Sequence, residues 1–529
     1  MADTKDFVAP GPSLSGPPLP VDFLSIFRGR AQLDKDLGLK LSAREGPALA
    51  AKLKQAYYWI VNNAIIAPYY DIEFGETGAA THAFPNGDQV KLPTDTSYCS
   101  YVLLPLLTFA TRRRALLVGG PGKGKTATAI LMGILAGYGA DEVRRGVQHG
   151  HPQLTIADLL GTPLPSAMMG AKALEDVTVS WRRWLTLRVK IVDEYNRIPT
   201  KTQSALLSLM AEGYAEMFDQ VVEAKDAAWF LTANDDAGGG TFQVIEALKD
   251  RIDLTIKAMP FNSRFLGQLL ARIESGVDPS EAVPEDIVFT AEELDEMRRE
   301  IRAVPIPPVV LRRLEFFVGQ LEFCQRASVQ LEYKNKDTLR LAGIPLAQVC
   351  NEQCPLDKTK HLCAQTQQGL SVRSFQTILD LAKALAYLRA GGAAAEVTLQ
   401  DLRQVIPFAL HEKLTPNAAG DFFQVEANRP LLSDKVVWIR RMFDSALATW
   451  DRLDRDRKNP AQALAEELDA GLEGLPAKTV EERMKKAQAL IADLAKKGEL
   501  SPWVYEDVVR LKSIYMRYQN QLHWLRGQG

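Results

Sequence analysis

The run LLVGGPGKGKTATAI, Leu116 to Ile130, constrains the fold more than any other part of this 529-residue chain. It fits G-x-x-x-x-G-K-[ST] from Gly119 to Thr126, entered by an apolar run (Ala115 to Val118) and left by an alanine-rich stretch. A strand, a glycine-rich turn and a helix in that order make a phosphate-binding loop. The glycines let the backbone wrap so that N–H groups point at an anion, and the helix N-terminus adds its positive end. Gly119, Gly120, Pro121, Gly122, Lys123 and Gly124 form the expected loop, and Ala127 follows it in the first helical turn. Lys125 is expected to reach the β- and γ-phosphates, and the Thr126 hydroxyl to coordinate Mg²⁺. The ligand implied is a nucleoside triphosphate.

Composition narrows what surrounds this loop. The length exceeds one ordinary core, so about two to four domains are expected. Hydrophobic content of 46% and charged content of 24% describe a globular chain. A net charge of −2 gives no bulk attraction to nucleic acid or to an anionic membrane, and neither is an expected partner. Arg112-Arg113-Arg114, beside the first apolar run, reads as a solvated edge. The longest apolar candidate for a membrane span, Thr126 to Ala140, falls short of the roughly 20 residues required. The N-terminus lacks a basic segment followed by an apolar run, and five cysteines, with Cys99 isolated, do not resemble a secreted disulfide framework. The cytoplasm is the expected compartment.

Residues 1–20 are proline-rich and read as a flexible arm; residues 21–95 read as helical, with a hairpin at HAFPNGDQVKL around Asn86-Gly87. From 96 to 262, apolar runs alternate with helical stretches: Ala115–Val118, Gln153–Ile156, Leu187–Val192, Ala228–Thr232 and Leu254–Ile256. Buried strands separated by helices imply a mainly parallel sheet covered on both faces. Residues 263–415 and 416–529 read as two helical regions, and no internal repeat is present.

The second chemical signal is LRVKIVDEYNRIP, in which an apolar strand ends in Asp193-Glu194. Carboxylates at the C-terminal edge of such a sheet stand where ligands of open α/β sheets bind. Beside a phosphate loop, Asp193 would hold Mg²⁺ and Glu194 would polarise the attacking water as a general base.

The longer segment VDEYNRIPTKTQSALLSLMAEG resembles the signature of MoxR-type AAA+ ATPases, Asp-Glu-x-Asn-Arg followed by Lys-Thr-Gln-Ser-Ala-Leu-Leu. Further similar motifs follow in the family's order, so that the resemblance spans about residues 96–415. It implies an AAA+ P-loop core (parallel sheet, helices on both faces) with an α-helical lid, to which this chain adds a C-terminal helical domain. In FLTANDD, Asn234 would be the sensor-1 residue orienting the lytic water. In EALKDRID, Arg251 would be the arginine finger, although Ile252-Asp253 replaces the family's aromatic; Arg197 is the alternative at a subunit interface. In GLSVRSFQTILDLAKALAYLRAG, Arg373 would be the sensor-2 arginine, with Val372 in place of the usual proline. A structural salt bridge is the plain alternative for Arg251 and for Arg373. VTLQDLRQVIPFALHEKL resembles the helices that close the lid.

The resemblance further implies ATP and Mg²⁺ as cofactors, a homo-oligomeric ring (a hexamer), a von Willebrand factor A domain partner, and a client protein that the ring remodels or activates. A nucleotide-gated signalling or scaffold ATPase is the competing expectation. The lid also carries extra residues, about 324–365, including CNEQCPLDKTKHLC. Cys350, Cys354, His361 and Cys363, with Cys324 upstream, are expected either to hold a structural Zn²⁺ or to be free thiols with His361 exposed; a labile redox pair is a third reading.

Overall fold

The computed structural model describes residues 48–527, apart from 67–68, 75–79, 95, 165–176, 225, 235–249, 259–260, 277, 392–394, 473 and 497–499. The proline-rich arm at residues 1–20 lies outside the described residues.

Five parallel strands form the central sheet: β1 (Arg114–Val118), β2 (Gln148–His149), β3 (Val189–Asp193), β4 (Ala228–Ala233) and β5 (Leu254–Lys257). Their spatial order is β5-β1-β4-β3-β2, with Leu116 opposite Leu231 and Leu231 opposite Val192. Because strand side chains alternate, each apolar run feeds two cores. Ala115, Leu117, Ile191 and Phe230 enter one cluster; Leu116, Val192, Trp229 and Leu231 enter the other. That is why these strands are apolar throughout. Gln153–Ile156 is not a strand. Thr155 there begins the short helix Ile156–Leu160 through a reciprocal capping box with Asp158, and the sheet position is taken by β2 instead.

On one side of the sheet pack α1 (Leu49–Trp59), α2 (Ser100–Thr111) and α3 (Lys125–Leu135); α4 (Thr200–Glu212) lies on the other side. The Asn86-Gly87 hairpin joins Thr81–Ala83 to Gln89–Lys91, with Gly87 in the left-handed region that only glycine adopts freely (φ 90°). The lid follows as α5 (Ala291–Ala303), α6 (Pro308–Glu322), α7 (Val372–Ala390) and α8 (Leu399–Leu410). Capping boxes at Thr290 with Glu293 and at Thr398 with Asp401 set the starts of α5 and α8. Beyond α9 (Lys435–Arg452), helices α10 (Pro460–Asp469), α11 (Ala477–Lys496) and α12 (Pro502–Gly527) share a separate core of Leu464, Val480, Leu511, Ile514 and Tyr518.

The three consecutive arginines are not a solvated edge. Arg114 donates from its backbone N and from Nε to Asp253 Oδ2 (2.9 and 2.8 Å), and Arg113 reaches both Asp253 and Asp380 of α7. Arg112 pairs with Asp295 of α5. Thr377 of α7 donates to Asp253 Oδ1 at 2.7 Å. Burial pushes the Asp253 carboxyl up, but Arg114, Arg113 and Thr377 outweigh it and hold it below the ordinary range. Asp253 therefore ties the sheet to the lid.

Candidate nucleotide and catalytic site

The turn between β1 and α3 has the backbone that a phosphate loop requires. Gly122 (φ 72°) and Gly124 (φ 75°) are left-handed, a region that a Cβ penalises. The buried Lys125 lies back across the loop, its Nζ donating to Gly119 O (2.6 Å), Gly120 O (2.8 Å) and Asn234 Oδ1 (2.9 Å). These three acceptors are neutral, and a phosphate oxygen would offer this ammonium a charge-assisted bond in their place. Tyr101 of α2 braces the loop from behind by donating to Lys123 O at 3.2 Å. Burial pushes its phenol up to about 12, so it stays a hydroxyl.

The edge of the sheet brings the second group together. Thr126 Oγ1 donates to Asp193 Oδ1 at 2.8 Å, which joins the loop to the end of β3. A hydroxyl and a carboxylate are the hard oxygen donors that suit Mg²⁺ alongside substrate phosphates. Glu194, the next residue, adopts the left-handed region (φ 52°, ψ 45°), turning its carboxylate away from the strand direction. Asn234 Nδ2 donates to Glu194 Oε1 at 2.8 Å, and Arg197 Nε lies 3.3 Å from Oε2. Lys125, Thr126, Asp193, Glu194 and Asn234 thus form one connected polar group at the C-terminal edge of β1, β3 and β4.

Several members of this group were not anticipated from sequence. Thr232 bonds both Asp193 and Glu194. His149 Nδ1 lies 3.4 Å from Asp193 Oδ2. Gly150 donates its N–H to Asp193 O at 2.7 Å, and a Cβ there would stand 2.3 Å from Glu194 O, so only glycine lets β2 end this close. Thr232 had a legible signal: it precedes Asn234 by two, and residues i and i+2 of a strand share a face.

A cavity of about 770 Å³ opens beside the loop, bounded by Gly122, Lys123, Gly124, Tyr101, Ile65 and Ile273. Its size and largely apolar walls suit a base and sugar attached to phosphates on the loop.

Arg197 touches this group, whereas Arg373 pairs elsewhere. Arg373 Nη1 pairs with Asp250 Oδ2 at 2.9 Å, and Ser371 Oγ reaches the other oxygen of that carboxylate at 3.2 Å. Arg251 is half-buried with its Nε shielded from solvent; residues 235–249, which precede it, lie outside the described residues.

The expected zinc ligands do not assemble. Among the described residues no group of three or more His, Cys, Asp or Glu side chains is placed to hold a metal ion. His361 turns from the thiols to stack on Trp503 of α12, with ring centroids 6.0 Å apart and planes at 22°. The cation among the thiols is Lys336, a buried ammonium that donates to Thr366 O and Oγ1 (2.6 and 2.5 Å) and whose charge is felt by Cys363, Cys324 and Cys350. All five cysteines are free, and burial pushes the Cys363 thiol up to about 12. Cys350, Cys354, His361 and Cys363 are therefore removed from the metal-binding set.

Residues 114–254 match the family model described as "ATPase family associated with various cellular activities (AAA)". Among solved structures, the chain is similar to a crystal structure of a "putative ATPase" from Cytophaga hutchinsonii, at 19% identity and a TM-score of 0.44, over 63% of this chain and 87% of that one. No curated protein matches the chain.

Proposed function

We propose that this chain, an AAA+ ATPase that hydrolyses ATP to ADP and phosphate, is of the MoxR type and works as a homo-oligomeric ring, a hexamer, that remodels or activates a client protein. Lys125 holds the β- and γ-phosphates, Asn234 orients the lytic water, and Glu194 accepts its proton. Thr126 and Asp193 would hold Mg²⁺, which when bound would neutralise phosphate charge. The ordered motifs from Asp193 to Leu414 support the MoxR assignment, and with it a von Willebrand factor A domain partner. Among the described residues no helix is long and apolar enough to cross a membrane; work in the cytoplasm is part of the proposal.

The observation that supports the ring reading is that two of the candidate arginines pair with carboxylates of their own chain. Arg197 is paired with Glu194 and Arg373 with Asp250. Charge on the γ-phosphoryl oxygens in the transition state needs a further cation, and a neighbouring subunit can deliver one. Arg251 is the residue assigned to that role. Arg251→Ala should keep ATP affinity and lower turnover by about 10³-fold or more, the range for lost finger contacts. Mixed with Lys125→Ala protein, it should regain partial activity, because some interfaces then combine an intact arginine with an intact phosphate loop. No recovery in rings shown by native mass measurement to be mixed would reject the trans finger. Turnover per chain that stays flat as protein concentration rises would favour a nucleotide-gated signalling or scaffold ATPase.

A further inference from the structure

We infer that Thr232 is a positioning residue for ATP hydrolysis, its one hydroxyl fixing both the metal-holding carboxylate and the backbone that carries the base. Thr232 Oγ1 donates to Asp193 Oδ1 at 2.5 Å and accepts the Glu194 N–H at 3.0 Å. A hydroxyl has a single proton, so the two contacts assign its roles: donor to the carboxylate, acceptor from the amide. The residue is buried, and both bonds cross from β4 to the end of β3.

The need for such a tie follows from the local backbone. Glu194 sits in the left-handed region without being glycine, a conformation that persists only where surrounding contacts hold it. Several such contacts meet there, including Arg197, whose backbone N–H donates to the Glu194 carbonyl at 2.9 Å and whose Nε lies 3.3 Å from its carboxylate. The Thr232 hydroxyl takes its N–H, Asn234 takes its carboxylate, and Gly150 lies against its carbonyl. Of these partners of Glu194, Thr232 is the one with a described side-chain bond to Asp193. Oδ1 of Asp193 thus receives two hydroxyl protons, one from Thr126 of the loop and one from Thr232 of β4. The Thr126 contact belongs to the nucleotide side, whereas the Thr232 contact comes from the sheet behind. Thr232 therefore sets the orientation of one carboxylate and the direction of the other. Partners of this kind to a ligating carboxylate fix ligand orientation, and losing one typically weakens metal binding or activity by about 10- to 100-fold.

The inference rests on the ATPase activity and not on the ring reading, so it can fail or stand independently of that reading. The full chain is tested as Thr232→Val, Thr232→Ala and Thr232→Ser at a protein concentration where sedimentation shows equal assembly. Two readouts are taken: steady-state hydrolysis, and binding of a fluorescent ADP analogue with and without Mg²⁺. Thr232→Val, which keeps the shape and loses the hydroxyl, should lower kcat and raise the Mg²⁺ concentration for half-maximal ADP binding, each by about 10- to 100-fold. Metal-free ADP affinity should stay near wild type, the melting temperature should fall by a few degrees with the protein still folded, and Thr232→Ser should restore both affected quantities. Wild-type kcat and Mg²⁺ dependence in Thr232→Val would overturn the inference. So would Thr232→Ser behaving like Thr232→Val, or loss of folded protein in both Thr232→Val and Thr232→Ala, which would make the hydroxyl a stability element.

Discussion

Asn234 joins Lys125 to Glu194: its Nδ2 donates to Glu194 Oε1 at 2.8 Å while its Oδ1 accepts from Lys125 Nζ at 2.9 Å. The two charged groups with opposite tasks share one amide. Phosphate oxygens on the loop would compete with Asn234 for Lys125, while the contact of Asn234 with Glu194 involves its other end.

Substitutions along this line should separate binding from turnover. Lys125→Ala should lose nucleotide binding, since it removes the cation beside the phosphates. Glu194→Gln should bind ATP and fail to hydrolyse it, because only the base is lost. Asn234→Ala should keep ATP affinity within a few-fold and lower kcat by about 10²-fold. Equilibrium binding of a fluorescent nucleotide beside steady-state hydrolysis checks all three, and equal loss of binding in Lys125→Ala and Glu194→Gln would contradict the assigned roles.

The pairing of Arg373 with Asp250 makes a second expectation. If Arg373 serves the nucleotide when the lid closes, Asp250 is its competitor. Both side chains are partly exposed, so the pair contributes at most about 1 kcal/mol. Asp250→Asn should therefore raise ATP affinity about fivefold or less, and the gain should vanish in the Arg373→Ala background. An unchanged gain in the double variant would separate Arg373 from nucleotide binding.

A third expectation concerns pH. Burial, then Asp507, Glu322 and Glu315, push the Glu506 carboxyl up to about 8 against the lowering effect of Arg455, which is itself bonded to Asp507. An acid raised in the folded state stabilises fully below its ordinary value of 4.5, and that contribution is lost as pH rises through about 8. Glu506→Gln, neutral at every pH, should melt above wild type at pH 8.5 and converge with it near pH 5. Parallel melting curves across that range would show that Glu506 does not titrate as described.

The notch that receives Glu506 gives a fourth. A Cβ on Gly319 of α6 would fall 0.9 Å from Glu506 Oε1. Gly319→Ala should lower the melting temperature, and Glu506→Ala in the same chain should recover part of the loss by emptying the overlap. Thermal melting of the single and double variants decides it.

The phosphate loop and Asp193-Glu194 were legible because each is a contiguous pattern whose flanking periodicity states its secondary structure. What escaped was set by contacts distant in sequence. Asp253 read as a departure from a family motif, whereas its partners Arg114 and Thr377 make it the tie between sheet and lid. Gln153–Ile156 read as a strand from its apolar residues, although the helix-starting pair Thr155 and Asp158 was already present and prevailed. The spacing of His361 to the cysteines left zinc and free thiols both open; the thiols are free, and Trp503, some 140 residues on, stacks on the His361 ring. Thr232 was passed over because threonine in a strand is ordinary, and only the turn of Glu194 beside it gives the hydroxyl its work.

The last helix has a mechanical consequence. Its first turns are seated on the lid: Trp503 stacks on His361, Tyr505 donates to Glu332 O at 3.2 Å, and Glu506 fills the Gly319 notch. From Asp507 the helix continues to Gly527, about 30 Å further at 1.5 Å per residue. Along that length it is packed against α10 and α11 through Leu511, Ile514 and Tyr518, and Arg526 near its end pairs with Glu481. A lid rotation of about 10° would therefore carry the three helices as one body and displace their far end by about 5 Å.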